Sequence, residues 1–289
     1  MAILNGAALR AAVAFRRKIE KQFTHYLMRI VKDISQLFNG VKSPREACDL
    51  ITKYADSKQF NNLVDTSVKK MVTHLYVGEK QTWRQAAAES IQGKAIYQEL
   101  RRETSNTYMG MIIDKIVQDN ANLIKTIPSL TVRRDLTKMI QELQMKGMRP
   151  EEITDRIAGK CPGLLAYQIR RIARTESSKA ASALTNARCD VMGIHWYEWS
   201  TCEDERVRDS HAHMNGILCR WSDPPAPEQL AGQASTGHYH PGNIYNCRCI
   251  ALPVIDMQDI SFPCRVYANG RITTIGSVNE FKRRFGEEL

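Results

Sequence analysis

Apolar positions recur at spacings of three and four through most of the first half of this chain. Between residues 7 and 160 the pattern predicts helices almost throughout. Ile19, Phe23, Leu27, Ile30, Ile34 and Leu37 trace one stripe along a long helix, which Asn39-Gly40 stops. Ser43-Pro44-Arg45-Glu46 restarts it with a cap residue, a proline in the first turn and a glutamate three residues after the serine. Further helical patterns cover 60–77, 82–103 and 105–126, with Pro128 as a breaker. Another fits 130–145, closed by Gly147, and Pro150-Glu151-Glu152 opens a short helix ending at Gly159. From Leu164 to Met192, Ile169, Ile172, Ala173, Ala180, Leu184, Ala187 and Val191 share one face. Glu176 falls on that same face. A carboxylate there either reaches water along the stripe edge or pairs with an arginine such as Arg206, Arg208 or Arg248, because an unpaired buried charge is costly.

After Gly193 the period changes to two. Ile194, Trp196, Glu198 and Ser200 alternate with His195, Tyr197, Trp199 and Thr201, which predicts a strand. A short helix follows over 205–214, and then a long loop over 222–245, rich in Pro, Gly, Ser and Ala. Residues 249–255 read as a strand. Arg265–Ala268 and Arg271–Thr274 flank Asn269-Gly270, the signature of a tight hairpin, and Phe281 and Phe285 mark an amphipathic tail. The predicted class is α+β and mostly helical. The expected blocks are a helical region over 1–128, a small α+β domain with a long ordered loop over 129–255, and a C-terminal hairpin and tail over 256–289.

Composition adds little to the fold and more to the setting. The 289 residues are 43% apolar and 25% charged, as in a globular protein able to bury a core. The net charge of +10 favours acidic partners. Its basic maxima, such as Arg16-Arg17-Lys18, Arg170-Arg171 and Lys282-Arg283-Arg284, are short and dispersed. They permit non-specific, salt-sensitive contact with DNA without forming a nucleic-acid arm. No run is apolar enough to span a bilayer, and the basic cluster follows the N-terminal apolar stretch, the wrong order for a secretory signal. Eight cysteines in this length do not suggest a disulfide scaffold, so the expectation is a protein made in a reducing cytoplasm.

The chemistry concentrates in residues 202–249. Asp204-Glu205-Arg206-Val207-Arg208-Asp209-Ser210-His211 opens the segment and Asn246-Cys247-Arg248-Cys249 closes it. Cores are not written this way. Three readings of the sulfur and imidazole groups stand side by side. One is structural zinc held by His211 with Cys247 and Cys249, completed by Cys202, Cys219 or a nearby histidine. The second is reduced thiols and polar groups pinning the loop by hydrogen bonds, and the third a Cys202–Cys219 disulfide. A metal-dependent enzyme, with His211 and the acids of 204–209 at its centre and nucleic acid or protein as substrate, is the catalytic alternative. The chain has no H-E-x-x-H, G-x-S-x-G or P-loop to support it.

Ala173-Arg174-Thr175-Glu176 on a helix, Gly193 before an aromatic strand, Asp204-x-Arg206-Val207-Arg208 with His211, Gly216, Pro241-Gly242 and Asn246-Cys247-Arg248-Cys249 occur in that order. This order resembles the Mu F-like domain of tailed-bacteriophage minor head proteins, the phage head morphogenesis family, over roughly 130–255. The resemblance implies a minor capsid protein of few copies, inside the virion near the portal, that assists head morphogenesis and takes part in DNA packaging or ejection. It implies portal, scaffold or major capsid protein as partners, no membrane, no established catalytic activity, and a passage through the host cytoplasm during assembly. Arg174, Glu176, Asp204, Arg206, Arg208, Asn246 and Arg248 are the residues expected to form a structural polar network. Cys202, Cys219 and His213 lie outside the family pattern.

Overall fold

The computed structural model describes residues 6–89 and 93–286, so the predicted 82–103 helix and the tail to 289 each include positions outside it. The fold is α+β and mostly helical. Its helices are α1 (Gly6–Leu37), α2 (Pro44–Ala55), α3 (Lys58–Glu89), α4 (Gly93–Arg102), α5 (Thr107–Lys125), α6 (Ile127–Leu130), α7 (Thr137–Met145), α8 (Pro150–Met192), α9 (Asp209–Met214), α10 (Pro227–Leu230) and α11 (Val278–Phe285). Five strands follow α8: β1 (Trp196–Ser200), β2 (Ile217–Arg220), β3 (Ile250–Pro253), β4 (Cys264–Ala268) and β5 (Arg271–Ile275). They form one sheet of order β3-β1-β2-β4-β5, antiparallel except where β2 runs parallel to β4.

The chain folds as two compact units. One is all helical, from Ile19–Thr73 and Lys115–Glu176. The other, which carries the sheet, takes the residues up to Lys18, His74–Asp114 and those from Ser177 onward. These units do not follow the consecutive blocks 1–128, 129–255 and 256–289. Long helices supply residues to both units, and the C-terminal hairpin joins the sheet through β4 instead of standing apart.

In the helical unit the local signals act as the sequence predicts. The Ser43 hydroxyl accepts from the Glu46 amide, and the Glu46 carboxylate accepts from the Lys42 amide, so one box satisfies two orphan donors at the start of α2. Ile19, Phe23, Leu27, Ile30 and Ile34 are all buried. Two predicted breaks are absent. Ile157, Cys161, Leu165 and Ile169 are fully buried at a spacing of four, so α8 runs unbroken through Gly159 and Pro162. Burial of that face outweighs the propensity cost of the two residues.

The sheet-bearing unit holds the other correction. The predicted gap between helices at 77–82 is continuous α3. Gly78 lies against the Phe15 ring, where an added Cβ would meet the ring at 2.0 Å, and Glu79 is buried. The apolar period lapses there because the helix buries charge and a close contact, not because it ends. Within the sheet, β1 turns Tyr197 and Trp199 to one face and Trp196 to the other. Trp196, Leu218, Val266 and Phe281 pack together on the second face, which α11 covers. The first face buries Met214, Ile217, Cys219, Tyr239, Cys247 and Cys249 with Tyr197 and Trp199, and so anchors the 202–249 segment. The hairpin turn has φ of 52° at Asn269 and 78° at Gly270, the left-handed pair that a two-residue turn demands. β2 was not foreseen. Its four residues are too few to show a period, although Asn215-Gly216 announces a turn before them.

Candidate functional site

Residues 202–249 form one ordered unit, with β2 as a strand of the sheet and α9, α10 and turns packed on its Tyr197/Trp199 face. At its centre is buried His211. Its Nδ1 lies 3.4 Å from Cys249 Sγ and 3.6 Å from Cys247 Sγ. The ligand atoms of the three residues all lie within 4.8 Å of one another. The ring sits edge-on to Trp199 at 5.5 Å. On its other side, Nε2 lies 3.1 Å from the Tyr239 hydroxyl, which donates to Glu228 Oε1 at 2.6 Å. Thr236 donates to the other oxygen of Glu228 at 2.9 Å.

Two turns aim the thiols. Asn246 takes φ of 55°, which turns the chain sharply before Cys247. Gly242, at φ of 90°, points its amide at Cys247 Sγ at 3.3 Å, and its Cα packs so close to Ser178 and Ser182 that a Cβ would crowd them. The Cys249 thiol donates to Cys247 and holds the Cys247 thiol well below its ordinary range against the opposing effect of burial. Cys249 moves up for the same reason: the pair shares a proton. Burial raises Tyr239, and its bond to Glu228 raises it further. Burial opposes ionisation of Glu228, but the hydrogen bonds from Tyr239 and Thr236 hold its carboxyl below the usual range.

A second network closes the mouth of the segment. Arg248 grips Asp204 with both guanidinium nitrogens, Nη1 on Oδ2 and Nη2 on Oδ1, the latter at 2.7 Å. The Arg206 amide donates to Asp204 Oδ1 at 3.1 Å, and Arg17 reaches Oδ2 at 3.3 Å. The Arg248 bonds first, and the Arg206 amide after them, lower the Asp204 carboxyl below its ordinary value against the opposing effect of burial. Arg208 donates to the Tyr245 carbonyl at 2.8 Å and stacks over the Tyr245 ring at 4.8 Å. Between the two networks lies a pocket of about 120 Å3, lined by Cys202, Arg206, Val207, Arg208, His211, Asn246, Cys247, Arg248 and Cys249.

Comparison with known proteins bears on this same stretch. A family model described as phage Mu protein F like protein matches residues 131–252. That stretch is similar to the Mu F-like domain. A curated relative, an uncharacterized protein of Haemophilus influenzae, is 33% identical over 150 residues, covering 51% of this chain and 30% of the relative. The chain thus spans under a third of the length of the curated relative it matches. No solved structure matches the chain.

The matched stretch brings together most of the residues singled out in the sequence, though not all in one place. His211, Cys247, Cys249, Cys202, Asp204, Arg206, Arg208, Asn246 and Arg248 meet around the pocket. Arg174 is elsewhere, half-buried on α8 and paired with Glu20 at 3.0 Å. Glu176 is buried, as its position in the apolar stripe predicts. Cys219 is a correction. Its thiol points to the Ile217 carbonyl and the Tyr197 hydroxyl inside the sheet core, because alternation on β2 puts it on the same face as Tyr197, its register partner on β1. All eight cysteines are free thiols, so Cys202 and Cys219 form no disulfide. Of the histidines offered as further ligands, His213 and His238 are exposed, and His240 lies 3.0 Å from the Tyr197 hydroxyl. Tyr239 and Glu228 were not foreseen. The available signal was charge scarcity: Glu228 is the single carboxylate between Asp223 and Asp256. A lone acid in a neutral loop must be held by something.

Proposed function

We propose that this chain is a minor structural and assembly protein of a tailed-phage head, carried inside the capsid near the portal. It acts in head morphogenesis, passes through the host cytoplasm during assembly, and contributes to DNA packaging or ejection. Its partners are the portal protein, with scaffold or major capsid protein as further contacts, and its dispersed basic surface tolerates non-specific contact with packaged DNA. The observation that carries the reading is the family match over residues 131–252, which spans the ordered polar segment on the sheet. The site geometry supports a scaffold role over catalysis by the 204–209 acids. Asp204 is engaged by Arg248, Glu205 and Asp209 are exposed, and none of the three joins the His211 group among the described residues. No helix among the described residues is long and apolar enough to cross a membrane, which accords with a capsid setting.

The test is co-purification. The chain should travel with heads and portal through gradient purification. Arg248→Ala, which opens the mouth of the segment, should lower both its thermal midpoint and its occupancy in particles. A variant that melts like wild type and is incorporated normally, yet yields defective particles, would count for catalysis and against this role.

A further inference from the structure

We propose that His211, Cys247 and Cys249 bind a zinc ion, with Cys202 as the fourth ligand, making a Cys3His centre that fixes the 202–249 segment to the sheet. The argument begins with the proton on His211. The Tyr239 hydroxyl spends its proton on Glu228 at 2.6 Å, so toward His211 Nε2, 3.1 Å away, it can only accept. Nε2 therefore carries a hydrogen. In the neutral ring that leaves the Nδ1 lone pair free, and Nδ1 is the atom that faces both sulfurs, at 3.4 and 3.6 Å. Metal-ligating histidines are prepared in this way: the far nitrogen donates into a chain that ends on a carboxylate, fixing tautomer and ring orientation.

The sulfurs are prepared as well. The Gly242 amide donates to Cys247 Sγ at 3.3 Å, a bond that favours thiolate, and Cys247 and Cys249 stand two residues apart just after the turn at Tyr245-Asn246. Two soft thiolates and an imidazole select zinc over magnesium or calcium, which take oxygen ligands. Cys202 lines the same pocket as the other three and is only half-buried, hydrogen-bonded with Asp204. Exchanging that partner for the metal completes a tetrahedral set of a known structural type. The pocket is lined almost wholly by polar and sulfur side chains, with Val207 its one purely apolar residue, so ligand bonds supply there what apolar burial does not.

The experiment uses the full chain, stripped with a chelator and re-equilibrated with zinc or cobalt(II). Elemental analysis should find about one zinc per chain, as a single closed site requires. Cobalt should give the intense visible bands of a tetrahedral site together with sulfur-to-metal charge transfer. Because Cys247→Ser can simply unfold the segment, the outer residues carry the decisive arm. Glu228→Gln and Tyr239→Phe should keep the fold by circular dichroism while weakening zinc about 10- to 100-fold. Cys202→Ser should reduce the charge-transfer intensity by one sulfur's share. A folded chain that takes up no zinc and shows no cobalt spectrum overturns the site, and the thiols are then hydrogen-bonded only. Unchanged affinity in both outer variants overturns the relay through Tyr239, and an unchanged cobalt spectrum in Cys202→Ser overturns the fourth ligand. The head role does not depend on any of these outcomes, since co-purification with heads is measured separately.

Discussion

Arg188 is the most deeply buried charge on α8, with 1% of its surface exposed. Its Nε donates to Glu103 at 2.7 Å, its Nη2 to the Tyr76 carbonyl at 2.8 Å, and its Nη1 lies 3.4 Å from Glu79. Arg188→Met keeps an unbranched apolar stem and removes the charge. Glu79 then retains Arg16 at 3.0 Å, and Glu103 retains Lys80 at 3.5 Å. Burial already pushes the Glu79 carboxyl up, with Arg16 and Arg188 pulling it back, so one of those two restraints is lost. Breaking a buried pair from one side costs about 3–5 kcal/mol. With a urea slope near 2 kcal/mol/M, the midpoint should fall by about 1.5–2.5 M. Tryptophan fluorescence is the right probe, because all four tryptophans, at 83, 196, 199 and 221, lie in the sheet-bearing unit. Adding Glu103→Gln should recover part of the loss, since it removes the charge left behind. A midpoint that moves by less than about 0.5 M in the single variant, equivalent to roughly 1 kcal/mol, would refute the reasoning.

Three further outcomes are expected. Burial holds His240 at about 4, below its ordinary 6.5. The unfolded chain therefore binds the extra proton first, and stability present above pH 6.5 is lost as pH falls toward 4. Between pH 7 and pH 5 this amounts to about 2 kcal/mol, which His240→Gln should abolish in matched urea titrations. Gly270→Ala places a Cβ at φ of 78° and should cost roughly 1–2 kcal/mol in the same assay, whereas an unchanged midpoint would mean the hairpin turn relaxes freely. Glu176→Gln should lower the denaturation midpoint measured by far-ultraviolet circular dichroism, because Glu176 is buried and the amide offers its partners one acceptor oxygen fewer; no shift would mean that the carboxyl contributes nothing to stability.

What could be read from the chain depended on whether local physics decided the outcome. The α2 cap, the α1 stripe and the Asn269-Gly270 hairpin are local, and each appears as its residues predict. The continuous α3 and α8 were hidden because burial against distant segments overrides glycine, proline and charge within the helix. The site divides the same way. Residue types marked His211, Cys247 and Cys249 as one set and Asp204 and Arg248 as members of another; the structure groups the first three and pairs the last two. Cys219 was misplaced because its role follows from a strand too short to recognise. Tyr239 and Glu228 escaped notice because their meaning depends on which side of His211 they face. Arg188 was unreadable for a related reason, since nothing in α8 itself names the residues near 76, 79 and 103 as its partners.

The parallel pairing of β2 with β4 has a consequence for how the domain can be isolated and made. β2 is an interior strand only because a segment more than forty residues later in the sequence lies alongside it, with Ile217 opposite Arg265 and Leu218 opposite Val266. The matched stretch ends at 252, before β4 begins. Cut there, the sheet would present the outer side of β2 as a bare row of peptide donors and acceptors, a template for sticking to other chains. The same exposure exists on the ribosome for the time needed to translate the intervening residues. Aggregation during synthesis should therefore depend on translation speed across 221–275, and a soluble recombinant version should extend through the hairpin.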